Sequence, residues 1–461
     1  MKAWEFELDL RRNAVPKVLK EEEQTWGAYK KVLQDEDDKI NLFWNSHVPG
    51  SYAPEKVLIG AIQSMENMGY KVEKAEELFE KGLEALKNND MYTLHQLTAS
   101  IFYELNNAEK DEDHPYWKYK IYNNFEEYSS QINFPKYDKY EMKEDFYDKI
   151  KASWVYQICG GALGTALEGY TSKQLKDKFG EITDYVRTPN TFNDDITYEI
   201  AFLKAFDKKG YNVTSKDIAK EWIGLIPAGW SAEDIALRNI RLGIFPPESG
   251  YLNNPYREWI GAQMRGVVCG IVAPGDPYTA SKLAYYDGEV SHHNNGVLGE
   301  VFNAVMASLA FVESDIRKIL ELSVNMIPKY SEYYAVVSHA LNLCKENSSW
   351  EHCWDICEEK YKTYNWIHAY PNAAAEVIAL WFGESDFEKT MNIVCMEGQD
   401  VDCNAAQIAS VIGIINGMKG IDYDKWVAPI GDNICTYVRG YEEFSLEEFC
   451  NWNVDIIRKY I

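Results

Sequence analysis

The chain has 461 residues, 46% of them hydrophobic, which is enough for a large buried core and, by length, two to three units of ordinary domain size. Its 72 acidic and 47 basic residues give a formal net charge of -25, which argues against a nucleic-acid footprint and against attraction to an anionic membrane surface. No stretch approaches the roughly 20 uninterrupted apolar residues that span a bilayer, and MKAWEFELDLRRNAVPK lacks the apolar run of a secretory signal, so a cytoplasmic location is expected.

Up to about residue 145 the chain is rich in lysine and glutamate. In VEKAEELFEKGLEALKNNDMYTLHQLTASIFYEL the spacing predicts an amphipathic helix with Ala75, Leu78, Phe79 and Leu83 on one face. Asn89 and Asp90 predict a turn and a new helix start. HPYWKYKIYNNFEEYSSQINFPKYDKY then has no clean period and contains Pro115 and Pro135, so it reads as a connector packed onto a neighbour. No motif in residues 1–145 carries chemistry, and this part is expected to be a helical accessory domain.

From 146 to 461 small residues enter the apolar runs: ICGGALGTALEG, FNAVMASLAF, NAAAEVIALW, NAAQIASVIGIINGM. Glycine and alanine at helix contacts let backbones approach closely, so this part predicts a compact, all-α, multi-helix bundle. There is no alternation of strand and helix patterns, no P-loop or dinucleotide fingerprint, and no fixed repeat. The nine cysteines are scattered and odd in number, as reduced thiols are. Cys353 and Cys357 sit one helical turn apart behind His352. They lack a second Cys/His pair for zinc and read as helix-surface or core residues.

Two acidic motifs stand at the starts of apolar, helix-patterned runs. One is Asn193, Asp194, Asp195, followed by Ile200, Ala201, Leu203 and Phe206; the other is Asp400, Val401, Asp402, followed by Ala405, Ala406, Ile408, Ala409 and Ile412. A helix N-terminus stabilises carboxylates, so either motif can be a solvated cap. A cap needs only one acid of each pair, however, and the small residues after Asp402 imply close packing. Carboxylates held together in such a place need a cation or protons. Oxygen-only donors select magnesium, calcium or manganese over zinc. A bound cation would also let an acidic protein accept an anionic small substrate.

From Trp154 to about Gly420 the chain resembles the ADP-ribosylglycohydrolase family, which includes the dinitrogenase reductase-activating enzyme. Gly160, Gly161, Gly164 and Glu168 stand in the pattern of the family's opening Gly-Asp-x-x-Gly-x-x-x-Glu helix, and GEITDYV (Gly180 to Val186) follows. Asn193, Asp194 and Asp195 take the place of its Thr-Asp-Asp. NPYREWIGAQMRGVVCGIVAPGDP leads into SHHNNGVLGEVFNAVMAS, and Asp400, Asp402, Cys403 and Asn404 stand for its late Asp-x-Asp-Thr-Asn. The resemblance covers nothing before about residue 146.

The resemblance implies an all-α fold and two magnesium ions, with manganese as a substitute, held by Asp194, Asp195, Asp400 and Asp402. Asn193 would offer its amide oxygen where the family has a hydroxyl. Glu168 matches the family's catalytic glutamate, and Asp402 is expected to serve catalysis as well as the metal. The implied reaction is attack of water on the anomeric carbon of a ribose, through an oxocarbenium-like state. The implied substrate is a small-molecule or protein-linked ADP-ribose-like compound. Three residues depart from the pattern: Gly161 for aspartate, Asn193 for threonine or serine, Cys403 for threonine. Cys403 is expected to point into the bundle, since cysteine is among the most buried residues. The loop His292, His293, Asn294, Asn295, Gly296 precedes a helix; it reads either as a hydrogen-bonded structural feature or as a substrate-side loop near a phosphate, and the second is taken as the expectation. The expected function is therefore a magnesium-dependent ribosyl glycohydrolase. The alternative is a degenerate, non-catalytic member that binds an ADP-ribose-like ligand or a protein partner.

Overall fold

Glycine brings the helix that carries the late acidic motif against the helix that leads to Glu168. The helix Phe146–Gly164 lies against the helix Val401–Asn416 with backbones nearly touching. A Cβ on Gly164 would run into the Asp402 Cα, and one on Gly413 would stand 2.6 Å from the carbonyl oxygen of Ala152. Between these points the hydroxyls of Ser153 and Ser410 meet at 2.7 Å. Any larger side chain at either glycine would push the helices apart, so the small-residue stripe read in the sequence is the contact itself.

The computed structural model describes residues 1–461. Twenty-two α-helices make up almost all of its regular structure. The one sheet is a hairpin of Asn433–Cys435 with Glu443–Ser445, antiparallel with Ile434 opposite Phe444. The helix Asn295–Ala310 is buried along its whole length and forms the axis of the bundle. No helix is long and apolar enough to cross a membrane.

The N-terminal part is fastened to the rest by a continuous core that runs from Phe43 to Ile457. Trp44 is wholly buried, stacks on Phe79 with ring centroids 5.1 Å apart, and donates from Nε1 to Thr98 Oγ1 at 2.8 Å. Ser64 Oγ donates to the Pro255 carbonyl at 2.8 Å, Tyr256 Oη to the Val57 carbonyl at 3.0 Å, and Tyr116 Oη to Glu258 Oε1 at 2.8 Å. The helix Glu73–Lys87 buries Ala75, Phe79, Gly82 and Ala85, whereas Leu83 is exposed. The buried face is turned toward Gly82 because the Trp44 ring occupies the space a side chain there would need. Asp90 caps the next helix, Met91–Asn106, by accepting from the Thr93 amide, as the sequence indicates. The aromatic connector packs as expected, with Tyr116, Tyr122, Phe125 and Tyr128 buried. Cys353 and Cys357 are core residues.

Candidate metal centre and its cleft

Asn193 and Asp194 of the early motif and Asp400 and Asp402 of the late one line the floor of a cleft of about 730 Å³; Asp195 is buried just behind it. Asp194 and Asp195 open the helix Asp194–Lys209. Asp400 immediately precedes the helix Val401–Asn416, and Asp402 lies in its first turn. Oxygens of Asp194 and Asp195 lie within 4.8 Å of each other and of Cys403 Sγ; Asp400 and Asp402 form a second such group around the same sulfur.

None of the four aspartates is used as a side-chain cap. The cap of the Asp194 helix is Asn193, whose Oδ1 accepts from the Asp195 amide at 2.7 Å, and Asp400 makes no side-chain cap bond. Both carboxylate oxygens of Asp195 and Oδ1 of Asp402 are buried without a hydrogen-bond partner. Buried acceptors of this kind are costly unless something satisfies them. Burial, followed by the charge of Asp402, raises the Asp194 carboxyl to about 7. Burial and neighbouring aspartates push Asp195 and Asp400 well above the usual carboxylate range. A divalent cation offsets both the burial and the mutual repulsion of these carboxylates, and a set dominated by carboxylates, with the Cys403 thiol the one soft member, suits a hard ion best. The residues therefore fit a divalent metal on their own geometry.

Glu168 joins the floor because its loop pairs with the loop before Asp400. The Gly169 amide donates to the Gln399 carbonyl at 2.8 Å and the Gln399 amide to the Tyr170 carbonyl at 3.3 Å. Gly398 and Gln399 have φ of 77° and 71°, the left-handed turn that this pairing requires. The Asp400 amide donates to Asn372 Oδ1 at 3.1 Å, which fixes the start of the late motif. Glu168 lines the cleft and is itself buried. Burial, then the charges of Asp402 and Asp194, push its carboxyl well up.

Two of the three departures in the motifs are one adjustment. A Cβ on Gly161 would stand 2.7 Å from Asn193 Nδ2. The amide of Asn193 thus occupies the room that a longer side chain at 161 would take. The Asn193 oxygen expected to donate to a metal is engaged instead as the helix cap. The third departure meets expectation only in part. Cys403 packs against the Met264 sulfur at 3.6 Å, yet it lines the cleft and belongs to both acidic groups, so it does not simply turn into the bundle.

The loop His292–Gly296 lies behind the cleft wall and is not among its lining residues. His292 is buried, with Nδ1 2.7 Å from Ser291 Oγ, and its ring backs onto Gly261, which does line the cleft. Burial, then Arg265, holds His292 well below the usual histidine range, and burial lowers His293 to about 4. Asn294 and Asn295 both donate to the buried Glu258, at 2.9 Å and 3.2 Å. The Gly296 Cα lies against the Arg257 carbonyl. The hydrogen-bonded structural role is the one these residues have here.

Sequence reasoning missed the cleft walls. Val48, Pro49, Gly50 and Glu55 come from the N-terminal part, in which no chemistry was expected. Arg187 is the one lysine or arginine among the lining residues; Trp230 and Glu233 stand at the start of the helix Ser231–Arg241, and Tyr437 arrives on the hairpin. The Pro49–Gly50 turn and the Ala228–Gly229–Trp230 run were the available signals, but neither names a partner.

The fold and these acidic groups define an all-helical protein with a carboxylate centre suited to a divalent metal. The sequence model of ADP-ribosylglycohydrolase matches residues 142–452, more than half of the chain, and the chain belongs to that family. Among solved structures, 38 chains match. One, described as an ADP-ribosylglycohydrolase-related protein complex, aligns with a TM-score of 0.51 over 69% of this chain and 100% of its own, at 16% identity, a likeness of fold. No curated protein matches the chain.

Proposed function

We propose that the cleft is a magnesium-dependent glycohydrolase site that cleaves a ribosyl bond of an ADP-ribose-like or nucleoside-like substrate. The observation that carries this reading is that Asp194 with Asp195 and Asp400 with Asp402 form two acidic groups that share Cys403, with buried oxygens that no protein group satisfies. These four side chains would hold two magnesium ions, with manganese as a substitute. Bound metal supplies charge neutralisation and Lewis acidity at the sugar oxygens. Glu168, beside Asp402, carries the proton traffic between water and leaving group, and the raised affinity of its carboxyl for a proton suits that role. The half-buried indoles of Trp230 and Trp366 and the exposed ring of Phe192 offer flat surfaces for a base. The cleft volume lies within the ~300–1,000 Å³ of small-molecule sites.

One observation favours a second reading, a non-catalytic binder of the same ligands: a thiol shared by both carboxylate groups, with Asn193 committed to its cap. A screen of ADP-ribosylated protein, free ADP-ribose derivatives and nucleosides with magnesium, scored for released ribose-containing product, separates the two. Turnover that chelator abolishes supports the hydrolase. Ligand-dependent thermal stabilisation without product supports the binder, and the absence of both turnover and stabilisation would overturn the ribosyl reading of the cleft.

A further inference from the structure

The family match begins at residue 142, yet one wall of the cleft is made by residues 48–55. That segment is a closed loop. Ser46 and Glu55 pair main chain to main chain, each amide donating to the other's carbonyl at 2.9 Å. Inside the loop Ser46 Oγ accepts from the Val48 amide at 3.0 Å, and Ser51 Oγ from the Ala53 amide at 3.1 Å. His47 stacks on Tyr52 with centroids 4.3 Å apart. The base of the loop reaches the aromatic wall, where Trp230 Nε1 donates to both oxygens of Glu55, at 3.2 Å and 3.1 Å.

The tip of the loop touches Glu168. The Gly50 amide donates to Glu168 Oε1 at 2.6 Å, and Ser51 Oγ donates to the Glu168 carbonyl at 2.6 Å. From the other side an Arg187 guanidinium N–H donates to the Gly50 carbonyl at 2.6 Å. Gly50 is packed so closely that a Cβ would run into Thr165 Cγ2 and stand 3.3 Å from Glu168 Oε1. One oxygen of the cleft's glutamate is therefore held by a peptide N–H that comes from outside the family-matching region.

We infer that the loop Ser46–Glu55 is a working part of the active site, with Gly50 as a positioning residue that fixes the Glu168 carboxylate and Arg187 and Ser51 as the clamps that hold Gly50 in place. This rests on the glycohydrolase reading for what Glu168 does, but not for the contact itself. A glutamate at the end of a flexible side chain samples several rotamers; anchoring one oxygen restricts where the other can go. Misplacing a reacting group by about 1 Å costs on the order of 10²-fold in rate, so the anchor acts on turnover more than on binding.

The test uses the full-length chain and two readouts. Amide hydrogen exchange over residues 47–53 is measured without substrate for wild type, Glu168→Ala, Arg187→Ala and Ser51→Ala. Loss of any one anchor should speed exchange at the Gly50 amide by about tenfold or more, since local openings follow the bonds that hold them. Steady-state kinetics then compares Arg187→Ala, Arg187→Lys and Ser51→Ala with wild type. The expected result is a fall in kcat of about 10–100-fold for the alanine variants, with KM and magnesium affinity changed by less than about threefold, and partial recovery with Arg187→Lys. Gly50→Ala should behave as the alanine variants do if it folds; the other three, which leave the loop's backbone intact, keep the test decisive if it does not. Unchanged exchange in Glu168→Ala, or a loosened loop with unchanged kcat, overturns the inference. If wild type turns over no ribosyl substrate, the functional reading fails while the exchange measurement still decides whether Glu168 and the loop hold one another.

Discussion

Cys403 is the residue on which the metal chemistry turns. Its sulfur lies within 4.8 Å of oxygens from both aspartate pairs, and its other contact is the soft sulfur of Met264. Magnesium prefers oxygen donors, and manganese and softer ions tolerate sulfur better. Cys403→Thr is expected to tighten magnesium binding and to raise magnesium-supported activity relative to manganese; titrating both ions into the two proteins reads this directly. An unchanged preference, with roughly 1–3 kcal/mol of lost stability from a buried hydroxyl beside Met264, would show that the sulfur only packs. The sequence located this position and its burial but not its nearness to both aspartate pairs, because burial and proximity to a metal are both consistent with a cysteine in the first turn of an apolar helix. The His292–Gly296 loop failed for a related reason. A glycine-flanked polar loop before a helix looks the same in sequence whether its amides face a substrate or, as Asn294 and Asn295 do, a buried Glu258.

At the scale of elements, one helix crossing sets the late acidic motif beside Glu168. The absence of a side chain at Gly164 lets Asp402 approach the end of the Phe146–Gly164 helix, four residues before Glu168. Gly164→Ala places a methyl against the Asp402 backbone, so it is expected to cost about 1–3 kcal/mol by overpacking and to weaken magnesium binding. Chemical denaturation and calorimetric titration measure the two effects. Gly224→Ala, where a Cβ meets nothing within 4 Å in the helix Ser215–Leu225, is the control: it should leave metal binding unchanged and raise stability slightly, by about 0.4–1 kcal/mol. This crossing was legible because close helix contacts leave glycine and alanine in the sequence. The face of the Glu73–Lys87 helix was legible only in part: Ala75 and Phe79 follow the period, but Gly82 replaces Leu83 on the buried side because Trp44 arrives from the end of the helix Gly27–Trp44. A period reports which way a helix faces, not what will be packed against it.

Across the whole molecule, a chain of net charge -25 buries many acids, and burial outweighs even the Arg265 ion pair at Glu233. Burial raises Glu55 and Glu233 to about 7 and Glu376 to about 8 from 4.5. In each case the folded chain holds a proton that the unfolded chain has released. Stability is therefore full below pH 4.5 as far as these groups are concerned, and it falls as pH rises from there through about 8. Glu376 isolates the effect. Its Oε1 accepts from Gln263 and Asn303, and its Oε2 has no partner. Glu376→Gln should stabilise the protein by on the order of 3 kcal/mol at pH 8 and by little at pH 4.5; thermal unfolding across that range checks it. An equal effect at both ends would mean that Glu376 does not change its protonation on folding. The whole-molecule scale is also where sequence reading stopped short. The walls of the cleft come from residues 48–55, 187, 228–233 and 437, which only the folded chain brings together.

The central claim is that four aspartates from two distant motifs hold divalent metal in this cleft. Anomalous scattering from crystals of the protein soaked in manganese tests it most directly. The account predicts manganese peaks within bonding distance of carboxylate oxygens from both pairs, Asp194 with Asp195 and Asp400 with Asp402, and their loss in Asp195→Asn together with Asp402→Asn. A cleft without a peak at saturating manganese, or manganese bound only elsewhere on this acidic surface, would contradict it.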